Sequence, residues 1–139
     1  LYQSARTHDL TIQEKKKIVQ NYELRVVVNL WRPYDWDMEQ IVEDYLHIYV
    51  PDGKTPILDV MLPLAKGLGG MVRNGLHVLV HCYGGRNRSG FLNALIYMVL
   101  TGKNGEQAIE HIRTCRPHSL VNEHFVSTLM EFKNGISNR

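Results

Sequence analysis

Apolar residues in this chain fall into short dense runs separated by stretches of helical period. Residues 25–30 (RVVVNL) are β-branched and flanked by polar residues, which predicts a buried strand. Residues 46–50 (LHIYV) predict a second strand, closed by Pro51, and residues 76–81 (LHVLVH) a third, entered from Asn74-Gly75. Leu1 to Ser4 suits an edge strand. Thr11 with Glu14 three residues on forms a capping box and opens a helix to about Gln20. A short helix is expected at 37–44. Thr55-Pro56 reads as an N-cap followed by proline at the first helical position, starting a helix to Arg73. Pro63, Gly67, Gly69 and Gly70 predict that this helix is kinked or irregular. Residues 89–101 are apolar on nearly every side, which predicts a buried helix stopped by Gly102. Helix 106–115 gathers Ala108, Ile109, Ile112 and Cys115 on one face, and helix 121–132 gathers Val121, Phe125, Leu129 and Phe132. Strands buried on both faces and separated by helices predict an α/β fold. Its centre is a mostly parallel sheet of four or five strands flanked by helices.

Length narrows this to one domain over residues 1–139, since about 150 residues is the prior for a single domain. A composition of 44% apolar and 22% charged residues excludes disorder, collagen and coiled coil. The formal charge, 16 − 14 = +2, admits an anionic substrate without demanding one. The longest apolar run, Ala94 to Leu100, is too short to span a bilayer. The chain starts at Leu1 without a basic and apolar leader, so a processed or trimmed chain is expected. Cys82 and Cys115 are the two cysteines and form no Cys-x-x-Cys. That is no disulfide framework, and a reducing compartment, cytoplasm or nucleus, is expected. Cys115 is expected in the core, with a disulfide that protects Cys82 as the alternative. His111, Cys115, His118 and His124 match no zinc spacing, and neither metal nor cofactor is expected. Lys15, Lys16 and Lys17 read as a solvated helix face, and Trp31, Tyr34 and Trp36 as an aromatic loop that packs under the site, with a substrate-facing wall as the alternative.

The chemistry concentrates at residues 81–90, His-Cys-Tyr-Gly-Gly-Arg-Asn-Arg-Ser-Gly, between the third strand and the buried helix. Ligands of open α/β sheets bind at the carboxyl ends of strands. Loop amides and the following helix N-terminus make an anion cradle there. Gly84 and Gly85 allow the backbone such a loop needs. Cys82 opens the cradle, where the local field favours a thiolate. Arg88 closes it with a planar fork matched to two phosphate oxygens.

The pattern His81-Cys82-x-x-Gly85-x-x-Arg88-Ser89 resembles the signature loop of the cysteine-dependent protein tyrosine and dual-specificity phosphatases, the small atypical members in particular. The resemblance implies that Cys82 attacks phosphorus to form a cysteinyl-phosphate, which water then hydrolyses. Arg88 and the loop from Tyr83 through Gly84, Gly85, Arg86 and Asn87 would bind the phosphate oxygens. Ser89 would help the thiolate leave, and His81 would tune Cys82 through backbone hydrogen bonds. Pro51-Asp52-Gly53, with Asp52 82 − 52 = 30 residues before Cys82, resembles the family's acid loop. Asp52 would protonate the leaving group and then deprotonate water. Asp35, Asp37 and Asp59 are rivals, and an ordinary turn is the plain reading of Pro-Asp-Gly. Leu1-Tyr2-Gln3-Ser4-Ala5, Val26 to Leu30, and Arg116-Pro117 with Asn122 and Phe125 extend the similarity along the chain. Asn122 could approach the hydrolytic water or simply start a helix.

A domain this small has no room for the added loop that deepens the cleft of phosphotyrosine-only enzymes. A phosphorylated protein carrying phosphotyrosine or phosphoserine/threonine is therefore the expected substrate. Asn87 before Arg88 resembles the RNA 5′-triphosphatases of the superfamily, which would make an RNA 5′ end the partner. Arg86 suits inositol phosphates and phosphoinositides, although Tyr83 stands where those members favour lysine. A non-catalytic phosphoprotein-binding module is the reading of another class.

Overall fold

The computed structural model describes residues 1–53 and 58–136. The chain runs β1 (Tyr2–Ser4), α1 (Ile12–Asn21), β2 (Leu24–Asn29), α2 (Trp36–Ile41), β3 (Asp44–His47), α3 (Leu58–Arg73), β4 (His77–His81), α4 (Arg88–Thr101), α5 (Gly105–Cys115) and α6 (Glu123–Met130). Four strands pair in the order β1-β4-β2-β3, all parallel. The central strands alternate. Val26, Val28, Val78 and Val80 face the larger core, shared with Met61, Leu68, Phe91, Leu95, Ile112 and Phe125. Val27 and Leu79 face a smaller one with Met38 and Val42, and a register shift between Leu24 and Val26 brings Leu24 to that same side. Period-two side chains buried on both faces explain the continuous β-branched runs. Helix α4 lies inside the larger core, buried from Arg88 to Ile96, and packs against α3, α5 and α6.

The predicted elements recur with shifted ends. The second strand stops at His47 rather than Val50. Ile48 and Val50 still donate their N–H groups to Asn29 and Leu30, so the chain stays beside β2 up to the turn at Asp52. The short helix is Trp36–Ile41 because Asp35 caps it by accepting from Met38 N–H. The Thr55-Pro56 start lies outside the described residues. From Leu58 the helix is continuous through Pro63 and the glycines. Gly69 leaves room for α4: a Cβ there would sit 3.0 Å from Val99 Cγ1.

Two expectations are corrected. Lys15 is not solvated: it is 2% exposed, and its Nζ lies 2.7 Å from Asp35 Oδ1 and 3.6 Å from Asp37 Oδ2. The helix turns one lysine inward because a buried carboxylate awaits it there. Cys115 is exposed rather than in the core. It ends α5 beyond the buried stripe of Ala108, Ile109 and Ile112, and its Sγ meets His111 Nε2 at 3.6 Å.

Candidate active site

Cys82 follows directly on β4 at the carboxyl edge of the sheet and is 2% exposed. It forms the floor of an open cleft of about 400 Å³ lined also by Asp52, Tyr83, Gly84, Arg86, Asn87 and Arg88. The loop above it is held from outside through its carbonyls. Tyr83 O accepts from Arg6 N–H at 3.1 Å and Arg86 O from Leu120 N–H at 3.1 Å. Gly85 O accepts from Gln3 Nε2 and Arg116 Nε, both at 2.7 Å, and Gly84 O from Arg116 Nη2 at 3.3 Å. Asn87 O accepts from Phe91 N–H in the first turn of α4. In a trans peptide the N–H points opposite to the C=O. Carbonyls turned outward from Tyr83 to Asn87 therefore turn the N–H groups of residues 84–88 inward, over the thiol. Those donors and the α4 N-terminus make a preformed seat for a tetrahedral anion.

Gly85 is required by two constraints at once. Its φ is +71°, and a Cβ would meet Ser4 C and Ala5 N at 2.4 and 2.5 Å. The loop can come this close to the end of β1 only without a side chain. Gln3 and Arg116, the supports behind the carbonyls, carried no role in the sequence reading beyond their place in a motif. A carbonyl's need for a donor leaves no trace in sequence.

Arg88 opens α4 at 9% exposure. Its Nη1 donates to Val50 O at 3.0 Å, while its Nε is buried without a partner among the described residues. One bond to the segment that follows β3 aims the guanidinium, and donors remain for a ligand. Ser89, fully buried, places Oγ 3.4 Å from Cys82 Sγ. His81 is fully buried, with Nδ1 3.4 Å from Cys82 O. Burial lowers its pKa to about 4, against the weaker upward pull of the Cys82 carbonyl. The ring is therefore neutral near pH 7, and the positive field at the thiol comes from Arg88 and the loop amides.

Asp52 stands at the rim, between two amides. Asn87 Nδ2 donates to Oδ2 at 2.9 Å and Asn122 Nδ2 to Oδ1 at 2.7 Å. Asn122 also caps α6, its Oδ1 accepting from His124 and Phe125 N–H. The helix-start role and a place beside the acid candidate thus coexist in one side chain. The rival carboxylates are elsewhere. Asp35 is 3% exposed and accepts from Lys15, Thr7 and Met38 N–H. Burial pushes its pKa up, but those bonds and the Lys15 charge together hold it below the usual carboxylate value. Asp37 lies in the first turn of α2 and Asp59 in that of α3. Trp31 reaches the rim, edge-on to the Tyr83 ring at 5.0 Å, and Arg6 lies 4.2 Å over Tyr83. Tyr34 instead packs on Trp36, Tyr45 and His47. Arg86 is exposed along the cleft.

The family model for the dual specificity phosphatase catalytic domain matches residues 7–135. An RNA/RNP complex-1-interacting phosphatase of Bos taurus is 30% identical over 118 residues, covering 79% of this chain and 35% of the relative. A cyclin-dependent kinase inhibitor 3 of Mus musculus is 31% identical over 70 residues, covering 50% of this chain and 33% of its own length. The chain thus spans about a third of the length of the curated relatives it matches. Among solved structures, Tk-PTP in its active form superposes with a TM-score of 0.77 at 26% identity, covering 91% of this chain and 88% of that one.

Proposed function

The chain belongs to the dual specificity phosphatase catalytic-domain family, and from that membership we propose that it hydrolyses phosphomonoesters of phosphorylated proteins through a cysteinyl-phosphate. The observation that carries the reading is the geometry of one loop. A buried thiol lies under inward-turned amides, with a guanidinium at one side and a carboxylate at the rim.

In the first step the Cys82 thiolate attacks phosphorus and the ester P–O bond breaks. Asp52 gives its proton to the departing oxygen. Arg88 and the N–H groups of residues 84–88 hold the three equatorial oxygens, where charge gathers in the transition state. In the second step water attacks phosphorus, Asp52 takes its proton, and the S–P bond breaks as Ser89 Oγ–H donates to the leaving thiolate. His81 acts from behind, through the Cys82 carbonyl. The reaction needs a reduced thiol, which suits a reducing compartment such as cytoplasm or nucleus.

The Bos taurus relative is named for interacting with an RNA/RNP complex, and Asn87 resembles the triphosphatase pattern, so a triphosphorylated RNA end is the second reading. An anhydride expels a stable phosphate and needs little protonation, whereas this chain holds a carboxylate by two amides at the cleft. That favours an ester. The test is a panel: phosphotyrosine and phosphothreonine peptides, a phosphoinositide and 5′-triphosphate RNA, each with the wild type and Asp52→Asn. Turnover of the phosphopeptides that falls steeply in Asp52→Asn is expected. Fast γ-phosphate release from RNA, indifferent to Asp52, would overturn the ester reading. Tight phosphopeptide binding without turnover would overturn catalysis itself.

A further inference from the structure

Asn87 occupies the N-cap position of α4, yet its side chain makes no capping bond. It is spent across the cleft instead. Its Oδ1 accepts from both Val121 and Asn122 N–H, each at 2.9 Å, while its Nδ2 donates to Asp52 Oδ2 at 2.9 Å. The two N–H donors fix which way the amide faces, because the flipped form would set an NH2 group against them. Asn122 completes the arrangement by donating to Asp52 Oδ1 at 2.7 Å and Gly53 O at 3.0 Å. Two amides thereby tie together the phosphate loop, the acid turn and the start of α6. Residues 52, 87 and 122 are far apart in sequence.

We propose that Asn87 is a positioning residue for the general acid. It couples the Asp52 carboxylate to the phosphate loop, one residue ahead of the arginine that grips the substrate. This rests on the phosphomonoesterase reading with Asp52 as its acid. It also gives the Asn-Arg pair a purpose other than recognition of a triphosphate. An acid already tethered in the free protein needs no loop closure before it can protonate a leaving group. Only the donor half of the amide serves this purpose. Aspartate at 87 keeps the acceptor for Val121 and Asn122 but sets a carboxylate against Asp52. Alanine removes both halves.

The experiment measures kcat/KM for two phosphomonoesters, an aryl phosphate with an acidic phenol and an alkyl phosphate, and takes their ratio. The ratio is independent of the folded fraction, so a partly unfolded variant still reports. Asp52→Asn should raise the aryl/alkyl ratio by about 100-fold or more, since general acids contribute ~10²–10⁴. Asn87→Asp and Asn87→Ala should each raise it by roughly tenfold, as expected for part of that contribution lost through misplacement. In the Asp52→Asn background neither should change the ratio further. An unchanged ratio in Asn87→Asp, alongside a raised one in Asp52→Asn, would overturn the positioning role. A further rise in the double variant would do the same. An unchanged ratio in Asp52→Asn itself would instead remove Asp52 as the acid, a failure of the underlying reading.

Discussion

Protonating His81 should cost this fold a large share of its stability. The ring is fully buried, its Nδ1 is 3.4 Å from Cys82 O, and its Nε2 is buried with no partner among the described residues. A second proton would therefore put a charge and an unpaired N–H inside the domain. Burial accordingly lowers the pKa from 6.5 to about 4. Between those values the unfolded chain binds more protons than the native one, so stability rises with pH. The contribution is complete above pH 6.5 and is lost as pH falls through 6.5 towards about 4. At about 1.36 kcal/mol per pH unit, the gap between 6.5 and about 4 amounts to roughly 3 kcal/mol, against a typical total of about 5–15 kcal/mol. Urea melts of the wild type and His81→Gln at half-unit steps from pH 4 to 7.5 isolate the effect, since other groups titrate in both. The difference between the two curves should grow with pH up to 6.5 and then level. Parallel curves would refute the argument. So would a His81 imidazole resonance that titrates near 6.5 in the native protein, which can be measured even if the variant folds poorly.

Other consequences are equally open to measurement. Cys82→Ser should abolish turnover while phosphopeptide binding persists, and appreciable turnover would exclude Cys82 as nucleophile. Gly85→Ala should cost at least about 1–2 kcal/mol for the left-handed backbone alone. It should also weaken inhibition by inorganic phosphate, because the added Cβ collides with Ser4 and Ala5; wild-type melting and inhibition would contradict the close approach. Lys15→Met should destabilise by about 3 kcal/mol, since it takes the cation from the buried Asp35 carboxylate and leaves only the Thr7 and Met38 hydrogen bonds of those described. Adding Asp35→Asn should recover part of the loss in a denaturation midpoint, whereas strict additivity would mean the pair is not coupled.

The sequence alone determined the elements and the heart of the chemistry. Val26 to Val28 and Val78 to Val80 announce buried parallel strands because both faces of each strand meet a core. His81 to Ser89 announce an anion cradle because thiol, glycines and guanidinium lie within one loop whose spacing is itself the geometry. Asp52 could be nominated, since a Pro-Asp-Gly turn after a strand is also local. What the tertiary structure decided is everything held across the chain. Lys15 looked solvated because its partner, Asp35, lies on another element and pairs only once α1 packs on α2. Cys115 looked buried because helical periodicity does not say where the core ends. Gln3 and Arg6 from the start of the chain, and Arg116 and Leu120 from the segment between α5 and α6, turn the loop carbonyls outward. Asn87 and Asn122 reach one carboxylate from opposite sides. A hydrogen bond depends on where two groups end up in space, and folding alone sets that distance between residues so far apart in the chain.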